Sequence, residues 1–432
     1  MTKQTVSFYT QGCRLNQSET AILERSFEAS QFEIVPFGQP SDLVVINTCT
    51  VTENGDSDTR RLIHKINRVQ TDSKIALVGC QAQILKEALL AYPNVKWVIG
   101  NAQKYDLPSI VKTTWSQKNP LVQTPKPNRE SFTVPLAGID RHHTRANIKI
   151  QDGCDFYCAF CVIPFARGPA RSRQFDDIFK EVDLLVAAGH KEIVVTGINL
   201  GTYSHDDHSF YDVIHMMTTV PNLHRIRISS IEPTTIPHPI LSLMHTPHSR
   251  LCRHLHIPLQ SGSDPILEAM NRHYDTATYK EFILKADSEI PDICLGTDVI
   301  VGFPGETDAL FDATLSFLQH LPLAYIHVFS YSERQMARSK KLDGQVPSDT
   351  IARRSLILRQ LSHQKKYQFC TNQLGKTEMV LFEQQKNGLW SGLTDHYVRV
   401  FVKSDHPLSN QIVPVKLSHI HPKGQAILGD LV

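Results

Sequence analysis

Short apolar, β-branched runs alternate with amphipathic helical stretches through most of this chain, and no other feature limits its fold so strongly. In the first hundred residues the runs are 6–11, 42–48, 74–79 and 96–100, with helical stretches such as 18–30 and 58–68 between them. Strand–helix–strand alternation predicts a parallel sheet with helices on its faces. A second series follows, with strands expected at 147–151, 192–196, 225–230, 254–258, 298–301 and 325–329 and helices such as 175–188 and 309–319. Six βα units predict an open, partial barrel whose chemistry sits at the carboxyl ends of its strands. Between the two series, Pro120, Pro125, Pro127 and Pro135 interrupt a stretch with few periodic apolar positions, which reads as a linker. Beyond Thr350 a basic helix runs to about Leu374, and the tail then alternates as a small antiparallel barrel. The chain, 432 residues long, is too large for one ordinary core. We therefore expect an α/β protein with a parallel N-terminal domain (1–118), a linker (119–139), a central partial (β/α)6 barrel (140–370) and a C-terminal antiparallel β-barrel (371–432).

The N-terminal segment MTKQTVSFYTQGC has no continuous apolar run, and no stretch approaches the roughly 18 apolar residues of a membrane span. The expected compartment is the cytoplasm, where nine cysteines point to metal or redox use rather than a disulfide framework. Cys13, Cys49 and Cys80 each come just after one of the first three strands. Ligands gather at the carboxyl ends of such sheets, so these cysteines are expected to converge. Cys154, Cys158 and Cys161 follow the first strand of the second series directly. Three soft thiolates in eight residues can hold an iron–sulfur cluster or zinc, but they are one ligand short of a closed zinc site. Cys252, Cys294 and Cys370 fit no motif and read as buried small hydrophobes. His142-His143 and His254-x-His256 read as surface or core histidines.

The C-x3-C-x2-C spacing, with Phe160 before the last cysteine, resembles the signature of the radical S-adenosylmethionine superfamily. The resemblance implies a [4Fe–4S] cluster with one open iron, which chelates S-adenosylmethionine for reductive cleavage to a 5′-deoxyadenosyl radical. Short motifs stand at successive expected strand ends: Gly197-Ile198-Asn199, Ser229-Ser230-Ile231-Glu232-Pro233, His256 to Ser263, and Gly302-Phe303-Pro304-Gly305-Glu306. From them we take Gly197, Asn199, Ser230, Glu232, Gln260, Gly302 and Glu306 as candidate contacts of the cosubstrate.

Three N-terminal segments, Gln11 to Glu19, Asn47 to Thr52 and Gly79 to Gln83, are similar to the cysteine motifs of the methylthiotransferase family. That family's N-terminal domain holds a second [4Fe–4S] cluster, and its terminal barrel is of the TRAM type. Ile163 to Pro169 with Ser172-Arg173 agrees, so the resemblance covers nearly the whole chain. The wording is most similar to the branch that methylthiolates C2 of N6-threonylcarbamoyladenosine at position 37 of ANN-decoding tRNAs. Related branches act on N6-isopentenyladenosine or a ribosomal-protein aspartate. A rival of another class, a non-catalytic iron–sulfur protein that binds RNA or senses redox state, would need the clusters but not the cosubstrate motifs. One departure stands out: Tyr331-Ser332-Glu333-Arg334-Gln335-Met336-Ala337 replaces the branch's usual glycine-threonine turn.

The resemblance implies a tRNA anticodon stem-loop, a reductant such as flavodoxin or ferredoxin, and a sulfur donor as partners. Net charge is only +2, yet residues 334–376 carry ten Lys or Arg against Asp343 and Asp349, a candidate phosphate-facing surface. A threonylcarbamoyl group ends in a carboxylate and calls for a fixed cation. Arg167, Arg171 and Arg173, just after the cluster cysteines, are the candidates, Arg171 first.

Overall fold

A computed structural model describes residues 3–50, 53–136, 143–246 and 248–432. Its N-terminal part is a six-stranded, wholly parallel sheet in the order β2-β1-β3-β4-β5-β6. The strands are β1 (Thr5–Thr10), β2 (Glu33–Ile34), β3 (Leu43–Thr48), β4 (Lys74–Gly79), β5 (Val95–Ile99) and β6 (Leu121–Gln123). The two central strands, β3 and β4, have fully buried apolar side chains such as Val44, Val45, Ile75 and Leu77, because helices cover both faces. Two edge strands were not legible beforehand: β2 is two residues long, and β6 is built from the proline-rich stretch.

The central strands are β7 (Ala146–Lys149), β10 (Glu192–Thr196), β13 (Arg225–Ile228), β14 (His254–His256), β15 (Cys294–Val301) and β16 (Tyr325–Ser330). Two minor pairs, β8 (Gln151–Asp152) with β9 (Arg171–Ser172) and β11 (Ser204–His205) with β12 (His208–Ser209), lie between them. The six main strands form two parallel three-stranded sheets, β13-β10-β7 and β14-β15-β16. They meet where Ile226 bridges Leu251 just before β14, and one apolar core runs through both. This is the open six-stranded barrel, divided in its hydrogen bonding between β13 and β14, the shortest of the six strands.

A 24-residue helix, Ser348–Thr371, packs along β16 and leads into a closed barrel ordered β17-β18-β19-β21-β20. These are Thr377–Lys386, Leu389–Leu393, Arg399–Val402, Ile427–Leu431 and Ile412–Ile420, respectively. The barrel is antiparallel apart from one pairing: β19 runs parallel to β21. Among the described residues no helix is long and apolar enough to cross a membrane.

Candidate active site

Two groups of three cysteines sit at the carboxyl ends of the two strand series, each built differently. In the N-terminal domain Cys13 precedes helix α1 (Arg14–Ala29), Cys49 follows β3, and Cys80 follows β4, so three adjacent strands each deliver one thiol. Gly12 has φ +89°, and a side chain there would stand 2.7 Å from Cys49 Cβ and 2.8 Å from its Sγ, so only glycine lets the two loops meet. Gly79, before Cys80, is at φ +95° with Asn47 Oδ1 2.6 Å from where a Cβ would lie. The motif amides tie these loops together. Asn16 Nδ2 donates to the carbonyls of Gln11 (2.7 Å) and Thr48 (3.2 Å), Asn47 Nδ2 donates to the carbonyl of Asn16 (3.0 Å), and Thr48 Oγ1 to that of Val78 (2.6 Å). Arg334, from the departing segment after β16, is buried and donates to Thr50 Oγ1 at 2.6 Å, beside Cys49. Val51 and Thr52 lie outside the described residues, as does His142.

The second group occupies one loop between β8 and helix α2 (Ile163–Arg167). Burial pushes the Cys161 thiol up to about 12, reinforced by Cys158 and Cys154, so the three sulfurs share one neighbourhood. Arg272 Nη1 donates to Cys158 Sγ at 3.0 Å and pairs with Glu232; the Asn199 side chain hydrogen-bonds Cys154. Gln151, wholly buried, accepts from the amides of Ile198 (2.9 Å) and Asn199 (2.8 Å) and donates to the carbonyl of Gly153 (2.9 Å). It thereby fastens the second strand's motif to the cysteine loop. Sequence reasoning passed over Gln151 and Arg272, because neither belongs to a motif and each acts across more than forty residues of chain.

Both triplets have donor sets that suit a [4Fe–4S] cluster: three thiols gathered, with no fourth cysteine among the described residues beside them. The remaining cysteines, Cys252, Cys294 and Cys370, are buried and free. Beside the N-terminal triplet, where it faces the barrel's strands, lies a cavity of about 260 Å³. Cys13 and Arg14 line it from the N-terminal domain, Gly197, Ser230, His256 and Asp298 from the barrel's strand ends, and Tyr397 from the C-terminal barrel. A second cavity, of about 180 Å³, shares Asp298 and Phe329 with the first and touches Phe160 and Gln260. Asp298 accepts from His256 Nε2 (2.9 Å) and His327 Nδ1 (3.2 Å). Burial pushes its carboxyl up, but the two rings outweigh burial and hold it below the ordinary range.

Other candidates stand elsewhere. Glu306 is buried and accepts from the Gly302 amide (2.8 Å) and from Arg354 Nη1 (2.7 Å); a side chain on Gly302 would strike Ile351. Both residues seat the long helix against the end of β15, and neither lines the two cavities. Arg173 is wholly buried against Asp177 (2.5 Å) and Glu181. Arg167 reaches across the domains to Glu19 (2.8 and 3.1 Å) and Asn16 (2.7 Å) and also holds Asp152 of its own domain (3.0 Å). Arg171 pairs with Asp152 at 3.2 Å. None of the three lines the cavity: Arg167 is spent joining the domains, while Arg171 and Arg173 pair with carboxylates of the barrel itself.

That junction is a buried network of four cations, Lys104, Lys149, Arg167 and Arg171, around two carboxylates, Glu19 and Asp152. Burial pushes the Glu19 carboxyl up, yet Arg167, Lys104 and Lys149 outweigh it and hold the group well below its usual range. Burial pulls the Lys104 ammonium down to about 8, with Glu19 opposing.

The basic stretch is likewise only partly free. Arg354 is buried against Glu306, Lys365 donates to the carbonyls of Gln319 and Leu321, and Lys366 donates to that of Tyr397. Arg353 stays largely exposed beside Asp308, as do Lys341 and Arg359 on the same side of the sequence.

Residues 148–318 match the radical SAM superfamily, and residues 5–100 match a family described as uncharacterized protein family UPF0004. The chain is 35% identical to the threonylcarbamoyladenosine tRNA methylthiotransferase MtaB of Bacillus subtilis, covering 96% of this chain and 93% of that protein. It is 30% identical to the tRNA-2-methylthio-N(6)-dimethylallyladenosine synthase of Ehrlichia chaffeensis, over 94% and 95% of the two chains. Among solved structures, the radical S-adenosylmethionine methyltransferase TsrM of Kitasatospora setae shares the fold with a TM-score of 0.57 at 15% identity, over 76% and 75% of the two chains. Two gathered cysteine triplets, on a scaffold aligned almost end to end with such relatives, place this chain in the radical SAM methylthiotransferase family.

Proposed function

We propose that this enzyme adds a methylthio group to C2 of N6-threonylcarbamoyladenosine at position 37 of ANN-decoding tRNAs. The observation that carries the reading is the cavity with Cys13 on one wall and the strand ends of the radical barrel on the other, in a chain similar over its length to relatives named for that reaction. When bound, the two [4Fe–4S] clusters and S-adenosylmethionine supply the 5′-deoxyadenosyl radical on one side and the methylthio group on the other. Cys154, Cys158 and Cys161 hold the first cluster; Cys13, Cys49 and Cys80 hold the second. Gly197, Asn199, Ser230, Glu232 and Gln260 surround the cosubstrate, with Arg272 keeping Glu232 and Cys158 in register. Abstraction of hydrogen from an aromatic C–H lies beyond ordinary acid–base chemistry, so the residues' task is to position the base and exclude water.

The anticodon stem-loop is presented in the cytoplasm, with flavodoxin or ferredoxin as electron source and a separate sulfur donor. The C-terminal barrel and the exposed cations Lys341, Arg353 and Arg359 follow its backbone. Mass spectrometry of tRNA nucleosides with and without the gene tests the reading. The 2-methylthio derivative of N6-threonylcarbamoyladenosine should vanish and its unthiolated precursor accumulate. Loss of the isopentenyl derivative instead would defeat it.

A further inference from the structure

We infer that Arg14 is the residue that receives the substrate's carboxylate, so that it separates a carboxylate-bearing N6 substituent from an apolar or esterified one. The inference rests on the substrate reading above and assigns a residue within it. Arg14 is the first residue of α1, next to Cys13, and it lines the cavity that Cys13 shares with the barrel's strands. Its Nη2 donates to Tyr397 Oη at 3.3 Å, and among the described residues no carboxylate lies within ion-pair distance of it. Arg227, the other guanidinium lining the cavity, is fully engaged: Nε and Nη2 meet Glu192 at 2.6 and 3.3 Å, and further donors meet the carbonyls of Thr394 and Asp395. Asp298, the cavity's own carboxylate, already accepts from two histidine rings. Among the described residues lining the cavity, Arg14 is therefore the arginine whose charge no carboxylate meets.

Its aim is fixed from a third domain. Tyr397 sits in the turn between β18 and β19 at φ +61°, a conformation that side chains other than glycine rarely adopt. The turn is held by Thr394 Oγ1, which accepts from the Val398 amide at 3.0 Å, and the Tyr397 ring stacks on His254 at 4.4 Å. A strained residue held this way pre-orients the guanidinium. One edge of the fork is steadied by the phenol, and the remaining N–H donors are left for a two-point contact with a carboxylate. An apolar or esterified substituent would leave this partly desolvated cation without a counter-charge, which is a strong basis for rejection.

The test uses the full-length, anaerobically reconstituted protein and three synthetic anticodon stem-loops, carrying N6-threonylcarbamoyladenosine, its methyl ester, or unmodified adenosine. Affinity is read by fluorescence anisotropy, KM and kcat by product formation, and cluster content by iron assay and EPR. Wild type should bind the free acid about tenfold to a hundredfold more tightly than the ester. Arg14→Gln should bring the two within about threefold of each other, and Arg14→Lys should restore part of the difference. Tyr397→Phe, which leaves the ligand loop untouched, should lose a few-fold in affinity for the acid only. Should Arg14→Gln retain wild-type discrimination, or weaken the unmodified stem-loop as much as the acid, the Arg14 inference is overturned while the substrate reading stands. If wild type itself fails to distinguish acid from ester, the Arg14 inference is likewise overturned, whereas the substrate reading fails only if wild type forms no methylthio product on the threonylcarbamoyl stem-loop.

Discussion

The two cysteine groups hold the same number of thiols but come from opposite constructions. The barrel group is local: one loop of eight residues carries all three ligands, at a spacing that resembles a known cluster signature. The N-terminal group is topological: its ligands are separated by more than thirty residues each and meet only because β1, β3 and β4 are adjacent in a parallel sheet. The local site is therefore defined by its sequence, whereas the distant one depends on strand order, on Gly12 and Gly79, and on the amide ties of Asn16 and Asn47. It also leans on its neighbour, since Arg334 and Arg167 reach into the N-terminal domain from the barrel.

The widest separation between the groups should appear in chemistry. Replacing Cys154, Cys158 and Cys161 by Ala should remove about four of about eight iron atoms and abolish 5′-deoxyadenosine formation. Replacing Cys13, Cys49 and Cys80 should remove a similar amount while leaving reductive cleavage in place and ending sulfur insertion. Full iron retention in the N-terminal triple variant would mean that these strands do not share a cluster.

Stability should divide the regions next. Glu19→Gln strips one of two carboxylates from a buried site with four cations and should cost about 3–5 kcal/mol in urea denaturation. Glu232→Gln, with one cation partner inside the barrel, should cost about 1–3 kcal/mol. Equal costs would remove the claim that the junction is the more strongly coupled of the two.

A smaller effect follows from Lys104. Its folded-state value of about 8 lies below the unfolded value of about 10.4, so the native chain binds fewer protons than the unfolded chain between those two pH values. The penalty of burying the charged ammonium is thus fully present below pH 8 and is relieved as pH rises toward 10. Lys104→Met should remove that rise, changing the slope of stability against pH by up to about 1 kcal/mol per unit in that window. Parallel slopes for variant and wild type would show that Lys104 does not titrate there.

The least effect is expected from the exposed helix cations. Reversing Arg353 or Arg359 should lower the salt slope of tRNA binding by about one each, whereas reversing Lys365 or Lys366 should act through folding, since both are tied to backbone carbonyls.

How much of this was legible follows the range of the forces involved. Strand periodicity is a local signal, and β4 and β10 fall on the expected residues, with the other main strands within a few residues. The convergence of Cys13, Cys49 and Cys80 was legible because topology in a parallel sheet is strongly restricted. The division of the barrel's hydrogen bonding, the parallel pairing of β19 with β21 and the edge strand β6 were not, since each is decided by distant neighbours. The arginines show the limit most clearly. Arg167, Arg171 and Arg173 stand beside the cluster loop in sequence and looked suited to a substrate. Arg167 finds its counter-charge in Glu19, 148 residues away, and such a pair leaves no periodicity to read, whereas Arg173 meets Asp177 and Glu181 one and two helical turns on, a spacing the sequence did offer. Arg14 was in view within a recognised motif, but its role depends on Tyr397, 383 residues later.

The junction network also sets a timetable for synthesis. The ribosome delivers Glu19 and Lys104 well before Lys149 and Arg167, and at about 5–20 residues per second the gap between Glu19 and Arg167 lasts about 7–30 s. During that interval the nascent N-terminal sheet can be complete while its buried carboxylate has only one of its three cationic partners. The loops holding Cys13, Cys49 and Cys80 wait as long for the tie from Arg167 to Asn16, and longer still for that from Arg334 to Thr50. A chain ending before the barrel is thus expected to hold its N-terminal iron less firmly against a chelator than the whole protein.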